Sequence, residues 1–564
     1  MLIVLAALAL VLPSPALASA DENFADEPPF GGQLPPPLVR PPSQNQPPPG
    51  FRLSGADAAE LAEGAEAIRD ERRQSLGMQP VAFERGDDWQ VSYFAGSGRS
   101  RHEVAEAIVD DDTGRVLGAW HDHQLHNPLA RGYSDAIAQK VNAPYVWLPL
   151  CVLFIVPFFD PRRPLRLLHL DLLVLLGLGL SLLFFNRGEI TTAVPLTYPV
   201  LGYFFLRMLW LSVRPRPGRG PLVPLVPLRW LAVAAAVLAS ARVALNVFDS
   251  HVIDIGVAGV LGADHVTHGQ ELYNGNFAPG VGIRGDVYGP FNYIAYVPFE
   301  AVFPWHGHWG SVPAAHAASI AFDLLTAVGL LCLGRRLRPG EGGRRLGIAL
   351  AFAWLAYPFT LYTMNANAND SLIAAALVGA MVVLASPPAR GLMVALASAA
   401  KFGPAALAPL FATATGKRRW RSALMFGAVF LGMSALLILP FLPDGGLREF
   451  YDRTIGYQAS RNSPFSVWGL APSLDFLRPV ERAGTVILAV AVALWPRRKT
   501  PAQIAALAAA VVIAVQLGAT HWFYFYVVWF LPLVLAALFV LQPDRPWSRG
   551  SSRPESPAGP GSVI

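Results

Sequence analysis

Residues 247–273 read VFDSHVIDIGVAGVLGADHVTHGQELY, a polar stretch that lies between two apolar runs at 229–247 and 312–333. The stretch contains acidic residues and histidines, whereas most of the other long segments of the chain are apolar. Apolar runs of about 20 residues are long enough to cross a lipid bilayer. The pattern indicates a membrane protein that carries out chemistry at the bilayer surface, in a loop just outside the end of a predicted helix.

The composition favours a multi-pass membrane protein. Hydrophobic residues make up 53% of the 564 residues, and the formal net charge of +5 is small for this length, so nucleic acid is not an expected partner. Most Lys and Arg residues lie in short loops between apolar runs, where they orient helices. Cys151 and Cys332 both lie in apolar runs. They leave no basis for a disulfide framework or a cysteine zinc site.

The N-terminal part reads as a soluble region outside the membrane. Residues 1–20 resemble a signal peptide, and residues 21–50 form a Pro-rich linker. Residues 51–130 are predicted to fold as a small α+β domain. Its expected elements are a helix over Ala56–Leu76, a strand around Trp89–Tyr93, and strands Arg101–Val109 and Arg115–Trp120 joined by a turn at Gly114.

This order of a helix followed by an antiparallel sheet, with the turn Asp-Thr-Gly-Arg-Val, resembles the PepSY module. The resemblance implies an extracytoplasmic binding or regulatory unit and not a catalyst. The adjacent segment 121–126 reads HDHQLH, which has the residue types of a zinc site. We interpret it as a solvated connector, because tetrahedral sites usually take ligands from a second element.

By the positive-inside rule, the remainder of the chain is predicted to be an all-α polytopic protein with about 11 transmembrane helices plus a re-entrant pair. Three accessory helices occupy 144–221, a core occupies 225–541, and the polar tail 542–564 is expected to be disordered and cytoplasmic. The re-entrant pair is predicted at 391–412, because Gly403-Pro404 breaks a helix there. The predicted spans are 144–159, 167–185, 191–213, 229–247, 312–333, 346–363, 371–385, 422–442, 483–495, 504–517 and 523–541.

In this topology the loops 248–311, 364–370, 443–482 and 519–522 share the exterior face. Asp254 lies at a dry interface, where the charged form of a carboxylate is disfavoured, which suits a general base. A helix N-cap is an equally good interpretation of its position. The residues predicted to bind a phosphate leaving group are Lys401, Arg453, Arg461 and His521; anchoring to lipid headgroups explains the arginines, and an aromatic-belt position explains His521, equally well.

Several motifs together resemble the GT-C superfamily of membrane glycosyltransferases, in particular the bacterial mannosyl- and arabinosyltransferase branch. They are Asp254 followed by GQELY at 269–273, YGPFNYIAYVP at 288–298, NDS at 369–371, KFGP at 401–404 and QASRNSPFSVWG at 458–469. The resemblance covers roughly residues 225–541.

The resemblance implies transfer of a mannose- or pentose-type sugar from a polyprenyl-phosphate donor to a hydroxyl of a glycolipid, polysaccharide or protein in the cell envelope. The active site would face the extracytoplasmic side, with Asp254 as the catalytic residue and with neither cofactor nor metal. Further residues predicted to bind the acceptor or the sugar are Asp264, Arg284, Asp286, Tyr288, Asn369, Asp370, Gln458 and Trp468.

Two other classes of function remain open from the sequence. A secondary transporter or translocator of a lipid-linked substrate, with the N-terminal domain as a sensor, would also use a broken helix and charges at membrane depth. Asp171, Arg207 and Arg242 within predicted spans are consistent with it. A non-catalytic sensor is the third interpretation, although the chain has no evident cytoplasmic output domain.

Overall fold

The computed structural model describes residues 38–97, 100–126, 128–132, 138–218, 220–275, 277, 284–307, 312–414, 419–461 and 463–543. The predicted signal peptide and nearly all of the predicted C-terminal tail lie outside these ranges.

The N-terminal domain is an antiparallel sheet of five strands in sequential order, with two helices packed on one face. Trp89, Val91 and Tyr93 alternate along the third strand and are fully buried in its core. The strands are β1 (Leu38–Val39), β2 (Gln79–Arg85), β3 (Asp88–Ala95), β4 (His102–Asp110) and β5 (Val116–His121), and the helices are α1 (Gly55–Glu63) and α2 (Glu66–Gln74).

The single helix predicted over Ala56–Leu76 is two helices separated by Gly64 and Ala65. Ser54 and Asp57 form a capping box that starts the first of them. The two strands on either side of Gly114 are confirmed, and Gly114 has the left-handed φ of +68° that the turn requires. Strands β1 and β2 were not predicted, and β1 lies within the range interpreted as a linker.

The regular secondary structure in the rest of the described chain is helical. Its helices are α3 (His123–His126), α4 (Gln139–Asn142), α5 (Pro144–Ile155), α6 (Leu167–Phe185), α7 (Ile190–Val213), α8 (Leu228–Phe248), α9 (Asp254–Thr267), α10 (Pro290–Ile294), α11 (Val297–Glu300), α12 (Pro313–Leu337), α13 (Gly340–Ala356), α14 (Pro358–Asn365), α15 (Asp370–Val382), α16 (Pro387–Ala400), α17 (Ala408–Ala412), α18 (Arg419–Ile438), α19 (Gly446–Tyr451), α20 (Tyr457–Ser460), α21 (Val467–Leu470), α22 (Arg478–Leu494), α23 (Pro501–Leu517) and α24 (Val527–Phe539).

The predicted number of eleven spans is not supported. Within the described ranges, five helical stretches are long and apolar enough to cross a membrane, in α6, α7, α8, α12 and Trp420–Phe441. A sixth is possible if α13 and α14, which meet at an angle of 59° before Pro358, form one broken span. The other apolar helices have 10–17 residues, and 17 residues extend only about 25 Å, less than the roughly 30 Å hydrocarbon core.

The predicted break at Lys401 is present. Helix α16 ends at Ala400, Lys401 has extended backbone angles, and a 3₁₀ segment follows over Gly403–Leu407. The helix cannot continue normally here, because Pro404 lacks a backbone N–H. The break places the Lys401 side chain at the end of a helix instead of along its wall.

The accessory helices are integrated with the core by buried polar contacts. The Ser181 hydroxyl lies 2.6 Å from the Tyr524 hydroxyl, and Gln503 Nε2 donates to the carbonyl of Ser212 at 2.6 Å. The connector that follows the N-terminal domain reaches the same body, because Lys140 Nζ lies 3.0 Å from Asp249 Oδ2. Asp249 is five residues before Asp254, so the connector from the N-terminal domain ends beside the polar loop.

Candidate active site

The segment that delivers Asp254 is held by the asparagine-rich loop at 365–370. The backbone N–H of Ile253 donates to the carbonyl of Ala366 at 3.3 Å, and Asn367 Nδ2 donates to the carbonyl of His251 at 2.9 Å. Asn365 Nδ2 donates to the carbonyl of Asp249, in the same segment, at 2.9 Å. These bonds satisfy backbone groups that an irregular buried segment would otherwise leave unpaired.

Asp254 is the first residue of α9 and does not cap it. The N-cap position belongs to Ile253, and no side chain makes the capping bond. The carboxylate is close to the N–H of Ile255 and to the positive charges of Arg461 and Lys401, each of which favours ionisation. Burial outweighs them and raises the pKa of Asp254 above its ordinary value. A carboxylate with a raised pKa is a better general base.

Lys401 is buried beside Asp254 in a pocket of aromatic rings. Its Nζ atom lies 2.7 Å from Asp370 Oδ1. The rings of Tyr526, Trp529 and Tyr288 have their centroids 5.3, 5.5 and 5.8 Å from Nζ. This is cation–π distance, so the ammonium group is held from several sides.

His521 belongs to the same cluster, because the charges of Arg461 and Lys401 act on it. Its Nδ1 is 2.8 Å from Ser463 Oγ, and the loop that carries it is tied to the 463–468 segment by the bond from Ser466 Oγ to the Thr520 carbonyl at 2.6 Å. Burial, together with the charges of Arg461 and Lys401, moves the pKa of His521 well below its ordinary value. The imidazole is therefore neutral at physiological pH.

Arg453 belongs to a neighbouring ion-pair group. Its Nη1 lies 3.1 Å from Asp286 Oδ2, and its Nε donates to Glu449 Oε1 at 2.8 Å. Arg453 lies in a π-helical turn over Asp452–Gly456, a feature often found at functional sites. Two carboxylates already match its guanidinium, which lowers the net charge that Arg453 can offer to a phosphate.

The structure therefore brings together part of the predicted set. Asp254 shares one electrostatic cluster with Lys401, Arg461, Asp370, Tyr288 and His521. The other predicted residues make contacts elsewhere: Asp264 with His268 (3.2 Å), Arg284 over the ring of Tyr457 (4.5 Å), Asn369 Nδ2 with Asn292 Oδ1, the Gln458 carbonyl with Thr520 Oγ1 (2.9 Å), and Trp468 Nε1 with the Leu517 carbonyl (2.9 Å).

Sequence reasoning missed Tyr526, Trp529 and Asn367. The two aromatic residues lie in an apolar run, where the pattern predicts a membrane helix and nothing more. The alternation of Asn and Ala at 365–369 was the available signal for the loop, since amide side chains bond readily to nearby backbone.

The segment 121–126 makes ordinary polar contacts: His121 Nδ1 lies 3.2 Å from Glu71 Oε2. Across the described ranges, no three His, Cys, Asp or Glu side chains come together as a set of metal ligands.

No curated protein matches the chain. The sequence model of glycosyltransferase family 87, a GT-C-like membrane family, matches residues 287–520. That range contains Tyr288, Asp370, Lys401 and Arg461 and begins after Asp254. The match, together with the candidate membrane spans, indicates a multi-pass membrane glycosyltransferase.

Proposed function

We propose that the protein transfers a sugar from a polyprenyl-phosphate donor to an acceptor hydroxyl, with Asp254 as the general base. The observation that carries the proposal is the cluster of a partly buried carboxylate with two cations, Lys401 and Arg461, that act on it electrostatically. A base and a phosphate-binding pair are the two groups that such a transfer requires, because a proton is lost at one end and a charged group leaves at the other.

The reaction is a direct displacement at the anomeric carbon. Asp254 takes the proton of the acceptor hydroxyl while the acceptor oxygen forms a bond to the anomeric carbon. The bond between that carbon and the phosphate oxygen breaks, and its electron pair leaves with the polyprenyl phosphate. Lys401 and Arg461 stabilise the negative charge that develops there. Neutral His521 donates or accepts a hydrogen bond without adding charge.

The setting of the reaction is part of the proposal. The positive-inside pattern supports a site on the extracytoplasmic face of the cell membrane, and the donor's long lipid supports attack at the bilayer surface. A mannose- or pentose-type sugar and a cell-envelope acceptor are proposed from the resemblance to the mannosyl- and arabinosyltransferase branch. The N-terminal domain is proposed to be a PepSY-like extracytoplasmic unit.

The charges at membrane depth do not require a transporter. Arg207 Nε lies 2.9 Å from Asp171 Oδ1, and Arg242 Nη2 lies 2.6 Å from Asp323 Oδ1. Each of these cations has a carboxylate partner that compensates its burial, which is the requirement for a structural ion pair in an apolar environment.

The test is transfer of radiolabelled sugar from polyprenyl-phosphate mannose and pentose donors in membranes containing Asp254→Asn. We expect a loss of about 100-fold or more, as for removal of a general base. Asp475→Asn is the matched control, because the Asp475 side chain is 48% exposed, pairs with Arg478 at 2.9 Å and is not among the predicted site residues. It should leave the rate within about twofold. Full activity of well-folded Asp254→Asn, or no transfer by the wild type from any donor, would refute the proposal.

A further inference from the structure

Asp370 is the buried counter-ion of Lys401. Asp370 is 0% exposed, and its Oδ1 accepts hydrogen bonds of 2.7 Å from both Lys401 Nζ and Trp529 Nε1. Its other oxygen, Oδ2, is buried and has no hydrogen-bond partner in the described part of the chain. A carboxylate in this position is expensive unless it faces a cation. Asp370 is therefore poorly placed to bind a sugar hydroxyl and well placed to hold Lys401.

Trp529 contacts both members of this pair. Its indole N–H donates to Asp370, and its ring lies 5.5 Å from the Lys401 ammonium. The N–H fixes the carboxylate, and the ring limits the positions that the long lysine side chain can reach. A lysine loses rotamer freedom when it binds a ligand, and this arrangement removes that freedom before a ligand arrives.

We infer that Asp370 and Trp529 are positioning residues for the transfer reaction, and that they act by holding the ammonium group of Lys401 toward the phosphate of the donor. Lys401 has three N–H donors, and within the described ranges one hydrogen bond, to Asp370, is made by its side chain. The other two N–H groups are available to phosphate oxygens. The inference rests on the proposed function, because it assigns Lys401 to the donor phosphate.

A double-mutant cycle separates positioning from a general structural role. If Asp370 acts through Lys401, Asp370→Asn should lower kcat/KM for the donor about tenfold or more, the scale of a lost charge-assisted contact. In a Lys401→Gln background the same change should cost less than about twofold, because its target is already gone. Trp529→Phe keeps a ring and removes the N–H, so it should cost an intermediate factor of about three to ten.

The chain contains a matched control for this experiment. Asp323 is also 0% exposed, and its Oδ1 also accepts from a cation, Arg242 (2.6 Å), and from an indole, Trp354 (3.0 Å). Asp323→Asn should lower the thermal unfolding midpoint, leave kcat/KM per folded molecule unchanged, and combine additively with Lys401→Gln.

The outcomes distinguish failure of the positioning role from failure of the proposed function. Transfer by the wild type with equal costs of Asp370→Asn in both backgrounds would overturn the positioning role alone. The same conclusion would follow if Trp529→Phe had wild-type kinetics. No transfer by the wild type from any polyprenyl-phosphate donor would overturn the proposed function and this inference with it. A coupled cycle, with an additive Asp323 control, supports the inference even if Asp370→Asn lowers overall stability.

Discussion

The side-chain amide of Asn367 lies 2.9 Å from the backbone oxygen of His251, three residues before Asp254. The same amide nitrogen lies 3.1 Å from Ser250 Oγ, and Asn367 Oδ1 accepts from Asn246 Nδ2 at 2.9 Å. Asn367 also has a left-handed backbone, with φ of +54°. One buried asparagine thus joins helix α8, the segment leading to Asp254, and its own loop.

Replacing Asn367 should separate the contribution of its side-chain hydrogen bonds from that of its left-handed backbone conformation. Asn367→Gly removes the hydrogen bonds and keeps a residue that tolerates positive φ, whereas Asn367→Ala also introduces strain. We expect both variants to transfer sugar more slowly and the alanine variant to be less stable than the glycine variant by about 1 kcal/mol. Thermal unfolding in detergent and donor turnover measure the two effects. Equal stabilities of the two variants would contradict the argument from backbone strain.

The pH dependence of transfer should report Asp254. Burial raises the pKa of Asp254, so the rate should fall on acidification at a higher pH than for an ordinary aspartate, because a protonated base cannot accept the acceptor's proton. The charge of Arg461 opposes the rise in this pKa. Arg461→Gln should therefore move the acid midpoint of kcat to still higher pH.

The control for this shift is Arg448→Gln, since the Arg448 side chain is 90% exposed and its charge is screened by solvent. It should leave the midpoint in place. A midpoint that moves to lower pH in Arg461→Gln would show that another group controls the acid limb.

His521 should contribute no ionisation near neutral pH. Its pKa lies well below the ordinary value because of burial and two nearby cations, so the imidazole stays neutral through the physiological range. His521→Gln should slow transfer about 5–10-fold by removing an oriented hydrogen-bonding group, without moving the acid midpoint. An inflection near pH 6.5 that is present in the wild type and absent from the variant would contradict this assignment.

The sequence predicts the helix break at Lys401 better than it predicts the number of spans. Charges are expensive in an apolar chain, so the sequence draws attention to Asp254 and to the predicted phosphate-binding residues Lys401, Arg453, Arg461 and His521. All of these except Arg453 share one electrostatic cluster in the fold. The count of eleven spans is not supported, because hydropathy does not report helix length. Prolines such as Pro358 and Pro404 end helices inside apolar runs, and the resulting short helices are buried against protein instead of lipid.

Pairing was the other feature that the sequence did not reveal. The sequence does not indicate that Arg453 pairs with Asp286, which lies 167 positions earlier, as well as with Glu449. Such long-range partners depend on how loops fold over one another. The contacts of the Asp370 carboxylate with Lys401 and Trp529 are likewise not visible in the sequence.

Glu481 provides a test of stability that is independent of catalysis. It lies in the first turn of α22, and burial raises its pKa to about 7. Its Oε1 accepts from Thr485 at 2.8 Å, and its other oxygen packs so closely on Gly518 that a Cβ at that position would collide with it. The carboxyl is therefore enclosed beside the loop that leads to His521.

Proton binding by Glu481 decides how the stability of the fold changes with pH. The folded protein keeps the proton of Glu481 up to about pH 7, whereas the unfolded chain loses it near its ordinary value, so stability falls as the pH rises between these values. Glu481→Gln carries no charge at any pH and should be more stable than the wild type at pH 8, by about 1–2 kcal/mol given the partial exposure of the residue. At pH 4 the two should match. Glu341→Gln on an exposed helix start should show no such trend, and a stabilisation by Glu481→Gln that is equal at both pH values would exclude ionisation as the cause.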